Sequence, residues 1–312
     1  MKKDFLKYRY IFLIISFLVI VGGISYGLIT GYKFDIDFKG GTVIQADLKE
    51  EFDNNEIEKI VYEVTGNKPL VQKVTGGEAS VTITCEPMEQ ELADKVVDSL
   101  KERYTNMDEP STRNVQASYS KELLYSAMLA VGVAIVVILL YVGIRFKTLG
   151  FSAAITAIIA LAHDVLVIVA VYGVIKFPIN STFVAVILTI IGYSINDTIV
   201  VYDRIRENKR KVSRSADLKD TINLSISQVM KRTILTSLTT VTAVLVVYIF
   251  ALINNQQVLK EFSLPLIIGV IVGTYSSIFV ASSLWYTFDT IGTKIKLKKG
   301  EDVSKKRKSN KR

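Results

Sequence analysis

Apolar residues gather into six long blocks, 11–29, 123–144, 149–175, 183–201, 233–253 and 262–285, parted by polar segments. A block of about nineteen residues, wound at about 1.5 Å per residue, spans about 28 Å, the thickness of a bilayer's hydrocarbon. Six membrane-crossing helices follow. The block 183–201 departs from the others in its last third, where Asn196 and Asp197 interrupt it. An Asp at the bilayer centre costs about 2.5 to 3.5 kcal/mol even on a lenient insertion scale, so a helix serving only as an anchor would not carry one. Asp197 is therefore expected to be the ion-responsive group of a transport machine. Thr189, Tyr193, Asn196, Asp197 and Val200 recur at spacings of three and four, which places the polar groups on one face looking into a bundle. Ile187, Leu188, Ile191 and Ile195 cover the other faces.

Between the first two blocks the pattern changes period. Phe34, Ile36, Phe38 and Val43 alternate with polar residues about a Gly40-Gly41 kink, the mark of a strand pair or a bulged strand. Asn54 or Asn55 can cap a short helix with Ile57, Ile60, Val61 and Val64 on one stripe and Gly66 as its stop. Strand patterns at 70–75 and 79–85 flank Gly76-Gly77, a hairpin signal. A second helix over 88–104 buries Leu92, Val96, Val97 and Leu100, and a strand near 112–116 closes the unit. The order strand, helix, strand, strand, helix, strand predicts a small ferredoxin-like α+β domain. At about 90 residues it is large enough for its own core. Its acids Asp35, Asp37, Glu56 and Glu58 read as a solvated face rather than as chemistry.

Half of the 312 residues are apolar and the mean hydropathy is +0.35, too high for an ordinary soluble domain. The expected fold is a membrane all-α bundle of six transmembrane helices with a small extracytoplasmic α+β domain. Residues 1–30 form an N-tail and first helix, 31–121 the outer domain, 122–286 the remaining five helices with a loop at 202–232, and 287–312 a basic tail. The net charge of +8 is unevenly spread. Lys2, Lys3, Lys7 and Arg9, then Arg145 and Lys147, then a run from Arg204 to Arg214, then the closing KKRKSNKR all fall on one side of six alternating spans. The positive-inside rule makes that side cytoplasmic, with both termini on it and the mildly acidic 31–121 segment outside. The apolar run after MKKDFLKYRY is longer than a secretory core and no A-x-A-like site follows it, so it reads as an uncleaved helix. The basic tail suits anionic lipid, and no nucleic-acid partner is expected.

A single cysteine, Cys85, excludes an intramolecular disulfide or a Cys-based metal cluster, and a single histidine, His163, excludes a His-rich metal site. No nucleotide loop or nucleophile constellation is present, so neither an enzyme nor a cofactor is expected. His163-Asp164 lies midway through the third block. It reads either as a proton or ion site within the bundle or as a hydrogen-bonded pair that fixes helix packing. Residues 216–232 carry Leu218, Ile222, Ile226 and Val229 on one stripe, an amphipathic helix expected along the membrane surface. It delivers Arg232, the expected counter-charge for Asp197, to a fifth span rich in Thr and Ser. Gly269 and Gly273 stand at GxxxG spacing in the sixth, a signal for close packing.

Five segments, DFKGGT at 37–42, HD at 163–164, IGYSINDTIVVYDRIREN at 191–208, KRTILTS at 231–237 and VGTYSSIFVA at 272–281, carry a resemblance over nearly the whole chain. In order and spacing the chain resembles the SecF side of the SecD/SecF protein-export family, relatives of the proton-driven RND transporters. The resemblance implies half of a SecDF complex whose other half, SecD, comes from a separate polypeptide. It implies outer domains that contact a preprotein leaving the SecYEG channel, and a proton-motive force that completes export after the SecA steps. It assigns the proton pathway partly to Asp197 and Arg232, with Asn196, Asp164 and His163 beside them. Gly40, Gly41, Asp203, Arg204, Gly269 and Gly273 fall within motif or packing positions. The residues taken alone reach an ion-coupled transporter half and leave open an RND-type exporter of a lipid or small molecule.

Overall fold

The structure, a computed structural model, describes residues 4–73, 79–115, 117–146, 149–212, 217–254 and 256–292. A short 3-10 turn, Phe5–Tyr8, leads into α1 (Arg9–Thr30), followed by the one-turn α2 (Ile36–Lys39). Then come β1 (Gly41–Asp47), α3 (Asn54–Thr65), β2 (Leu70–Lys73), β3 (Ser80–Cys85), α4 (Gln90–Arg103) and β4 (Ser111–Val115). Five long helices follow among the described residues: α5 (Ala117–Arg145), α6 (Phe151–Ile175), α7 (Ser181–Lys211), α8 (Leu218–Ile253) and α9 (Gln257–Tyr275). A π-helical segment, Ser276–Ala281, continues α9, and helix resumes to 292. Among the described residues six helices are long and apolar enough to cross a membrane, as the six blocks predict.

Within the bundle, α6, α7 and α9 form the interior, and α1, α5 and α8 leave most of their surface uncovered. On α5, Leu124, Met128, Val133, Val136 and Leu140 all stand exposed, the surface of a helix that faces lipid. Tight approach of α1 to α6 rests on glycine. A Cβ built on Gly173 would lie 2.9 Å from the Gly27 Cα, 3.0 Å from the Tyr32 hydroxyl and 3.1 Å from the Gly23 carbonyl oxygen, so the two backbones come close and the Tyr32 side chain fills the space beside them.

The sheet is wholly antiparallel with strand order β2-β3-β1-β4. Its buried face, with Ile44, Val81 and Ile83, packs on Ile57 and Val61 of α3 and on Val96 and Leu100 of α4. Ala93 joins that helix face, and Leu92 lies nearer its edge. The cap of α3 is Asp53, whose side chain accepts from the Asn55 N–H, rather than either Asn, and Gly66 ends the helix in the left-handed conformation. Gly76 and Gly77 lie outside the described residues, as does everything after 292.

Three expectations are revised. The alternation at 34–38 does not make a strand: the Asp35 carboxylate accepts from the Ile36 N–H and starts α2, Gly40 at φ 76° ends it, and the sheet begins at Gly41. At Gly41 a Cβ would sit 2.9 Å from the Cys85 carbonyl oxygen, which explains the second glycine. The block 183–201 is only part of its helix, because the polar continuation through Lys211 carries no breaker. The stretch from Leu218 to Arg232 is the first part of α8 and not a separate surface helix. Its stripe is consumed by protein: Ile222 and Ile226 are fully buried in the bundle core. Asn223 accepts from the Phe5 and Leu6 N–H groups at 3.0 and 3.3 Å, tying the N-terminal turn down on the same face.

Replacing Gly173 by Val should separate α1 from α6 and lower stability by about 1 to 3 kcal/mol, the usual cost of overpacking; a drop in the thermal midpoint of detergent-purified protein measures it. Burial pushes the Cys85 thiol up to about 11, so maleimide should label it slowly at neutral pH in folded protein and rapidly once the sheet is unfolded.

Candidate functional site: a hydroxyl and carboxylate core

Two carboxylates lie inside the bundle at mid-helix. Asp164 of α6 is 1% exposed and Asp197 of α7 is 2% exposed. In an apolar medium each needs donors, since burying an uncompensated charge costs several kcal/mol. Asp164 has a full set. His163 Nδ1 lies 2.9 Å from its Oδ1, and its Oδ2 accepts from the Ser194 hydroxyl at 2.5 Å and the Ser276 hydroxyl at 2.8 Å. Three helices thus converge on one side chain.

A π-helical segment begins at Ser276, where the three helices converge. One extra residue in the turn rotates the following chain relative to the preceding helix. Ser276 reaches α6 while its neighbour Ser277 bonds Thr198 of α7 at 2.9 Å and donates to the Ser194 carbonyl at 3.3 Å. Close approach of α7 and α9 comes from the two glycines that the spacing singled out. A Cβ on Gly269 would clash with Ile190, and one on Gly273 would lie 3.0 Å from the Ser194 Cβ.

Asp197 is less well supplied. Its Oδ2 accepts from Thr274 Oγ1 at 3.4 Å. Thr274 also bonds Ser237 of α8, to which the Tyr193 hydroxyl donates at 3.2 Å. Arg232 is exposed on α8, and its charge reaches Asp197 through space rather than through an ion pair. Asn196 is exposed as well, because one position along a helix turns a side chain by about 100°. The polar face read from spacing therefore divides. Ser194, Asp197 and Thr198 turn inward, whereas Ala185, Thr189, Gly192 and Asn196 form an outward stripe. His163 keeps its Nε2 buried without a hydrogen-bond partner.

Asp203 and Arg204 sit apart from the acids, at the end of α7 away from the sheet. Asp203 pairs with Arg145 of α5 at 2.6 Å and with Arg206 at 2.8 Å. Arg204 donates to Gln228 of α8 at 2.7 Å, and Asn208 donates to Ser225 at 2.9 Å. These residues fasten the helix. Gly40 and Gly41 belong to the root of the sheet. Ser194, Thr274, Ser276 and Ser277 were not singled out by sequence reasoning, since lone hydroxyls are common in apolar helices; the one available signal was that Ser194 stands three residues before Asp197.

Six long helices, a small α+β unit between the first two and buried acids at mid-bundle define a multi-pass membrane protein. Residues 95–290 match the family described as protein export membrane protein SecD/SecF, C-terminal, and the chain belongs to that family. It is 36% identical to the protein translocase subunit SecF of Borreliella burgdorferi over 90% of this chain and 95% of that one. It is 35% identical to the SecF of Haemophilus influenzae over 91% of this chain and 85% of that one. The protein translocase subunit SecDF of Bacillus subtilis is 35% identical over 91% of this chain, which spans 38% of that longer protein. The crystal structure of SecDF from Thermus thermophilus superposes with a TM-score of 0.80 at 28% identity, covering 93% of this chain and 39% of that one.

Replacing Ser194 or Ser276 by Ala should each cost about 1 to 3 kcal/mol by leaving the buried Asp164 short of a donor. The double variant should lose more than the sum, because no donor to Oδ2 then remains; thermal unfolding of the four proteins tests this.

Proposed function

We propose that this chain is the SecF half of an auxiliary unit of the Sec translocase, which couples ion movement down the proton-motive force to the completion of protein export. The observation that carries the coupling is Asp197: a buried carboxylate reached by the Thr274 hydroxyl at 3.4 Å and by the Ser237 hydroxyl linked to it, with no ion pair among the described residues, free to exchange a proton as its surroundings change. Arg232 and the His163-Asp164 pair complete the pathway in this reading. Arg232 tunes Asp197 through space. Asp164 holds α6, α7 and α9 in register around it.

A SecD-like half is the implied partner, for two reasons. SecDF relatives carry a region like this chain within a longer polypeptide. In addition, the outward stripe of α7 presents Thr189 and Asn196 among the small residues Ala185 and Gly192, a surface suited to close packing against another helix rather than to lipid. Asn196 then belongs to the contact between halves. The channel SecYEG, the motor SecA and the preprotein are the further partners this role requires. The sheet unit, residues 31–121, is read as an extracytoplasmic domain of ferredoxin-like type, which its element order and the strand order β2-β3-β1-β4 support. The Arg and Lys residues at the opposite ends of the helices, with the basic tail from 287, are read as cytoplasmic and in contact with anionic lipid.

Asp197→Asn should remove the stimulation of precursor export by an imposed proton-motive force in inverted membrane vesicles, while leaving the ATP-driven steps intact. Undiminished stimulation in that variant, at normal membrane abundance, would overturn the reading.

A further inference from the structure

The acid of the DFKGGT segment, read from sequence as solvent-facing, is buried. Asp37 is 8% exposed and joins three parts of the molecule. Its Oδ2 accepts from the backbone N–H of Ser181 at 3.0 Å and from the Ser181 hydroxyl at 2.6 Å. Its Oδ1 accepts from Arg113 at 3.1 Å. Ser181 is the first residue of α7, and Arg113 lies on β4, opposite Val43 of β1.

The backbone around this carboxylate is tied to the bundle as well. Phe34 bridges Ile179, the Asp35 N–H donates to the Ile179 carbonyl at 3.2 Å, and the Ile179 N–H donates to the Lys33 carbonyl at 2.8 Å. The Ser120 hydroxyl donates to the Ile36 carbonyl at 3.0 Å, so the start of α5 joins the same knot. A second carboxylate reinforces it from α9. Asn180 caps α7, accepting from the Phe183 N–H at 3.1 Å, and donates to Glu261 at 3.0 Å. The N-terminus of α7 is thus held by one acid from the root of the sheet and, through Asn180, by one from α9. Both acids favour the positive end of the helix dipole.

From this geometry we propose that Asp37 is a positioning residue for energy coupling, a strut that passes displacement of α7 to the sheet unit. Sixteen residues separate Ser181 from Asp197, about 24 Å of continuous helix at 1.5 Å per residue. The intervening backbone is hydrogen-bonded throughout, so a shift forced on α7 at Asp197 arrives at Ser181 as a shift of the whole rod. Asp37 receives it directly, and Arg113 carries it into β4. A charge-assisted contact of this kind has strength and direction that an apolar contact lacks. The proposal rests on the ion-coupled reading above.

The test separates flux from work. The full chain is co-assembled with its SecD-like partner and the translocon in vesicles, and proton flux and precursor export are measured together. Asp37→Asn and Ser181→Ala should leave flux unchanged but lower force-stimulated export about tenfold, near what one charge-assisted hydrogen bond is worth. Asp37→Glu should recover part of the loss. Ser181→Ala keeps the test valid if Asp37→Asn fails to insert, and Asp197→Asn serves as control. If Asp197→Asn exports normally, the underlying reading falls. If Asp197→Asn fails while the Asp37 and Ser181 variants export normally at normal abundance, or lose flux and export in parallel, the strut is overturned.

Discussion

A carboxylate surrounded by hydrocarbon must be given donors by the protein, and the interior of this bundle is arranged around that need. Asp164 takes its donors from its own helix neighbour and from hydroxyls on two other helices. Hydroxyl donors reach only a short distance, so α6, α7 and α9 have to lie close. Closeness in turn demands small residues at the crossings, which is where Gly269, Gly273 and Ser194 fall. The π-helical segment begins at this crossing, where Ser276 bonds Asp164 of α6 and Ser277 bonds Thr198 of α7.

The same helix, α7, is anchored at both ends by charge. At the sheet end Asp37 and Asn180 satisfy N–H groups that a helix N-terminus leaves unpaired. At the far end Asp203 binds Arg145 and Arg206, and Arg204 and Asn208 engage Gln228 and Ser225 of α8. Between these anchors the contacts are small, apolar or hydroxylic. With charged contacts at its ends and close crossings in its middle, α7 is a stiff rod, and in the proposed mechanism a displacement at Asp197 is passed along it as a unit.

Much of this was legible from sequence because the signals are local. A run of about twenty apolar residues needs no tertiary information to be read as a span, and a lone charge inside such a run is conspicuous. Asp197 and His163-Asp164 were therefore conspicuous as polar groups within the spans, where the structure buries them, and the paired glycines of α9 marked a close crossing. What escaped depends on partners distant in the chain. The stripe at Leu218, Ile222 and Ile226 fits a membrane surface or a protein groove equally well, and only the fold shows that the bundle covers it. Asn196 and Asp197 are adjacent in sequence, yet one is exposed and the other buried. Asp37 looked solvated because its partners, Arg113 and Ser181, lie 76 and 144 residues away. Gly23 and Gly27 stand at the same spacing as the glycines of α9 and were legible in the same way, whereas Gly173, their partner on α6, is recognised only in the fold.

The two acids at mid-bundle, Asp164 and Asp197, differ in how completely they are satisfied, and this difference assigns their roles in the proposed mechanism. Asp164 has a partner on each oxygen and a second hydroxyl on Oδ2. Changing its charge would unsettle donors on three helices at once, so it suits a fixed pivot. Asp197 has a long bond to Thr274 and touches the same hydroxyl chain through Ser237 on α8. Losing or gaining a proton there disturbs one hydroxyl chain and alters the attraction to an exposed Arg232 across it. The cost of a change is then small at Asp197 and large at Asp164, and a device that must cycle places its moving charge where the surrounding hydrogen bonds have least to lose.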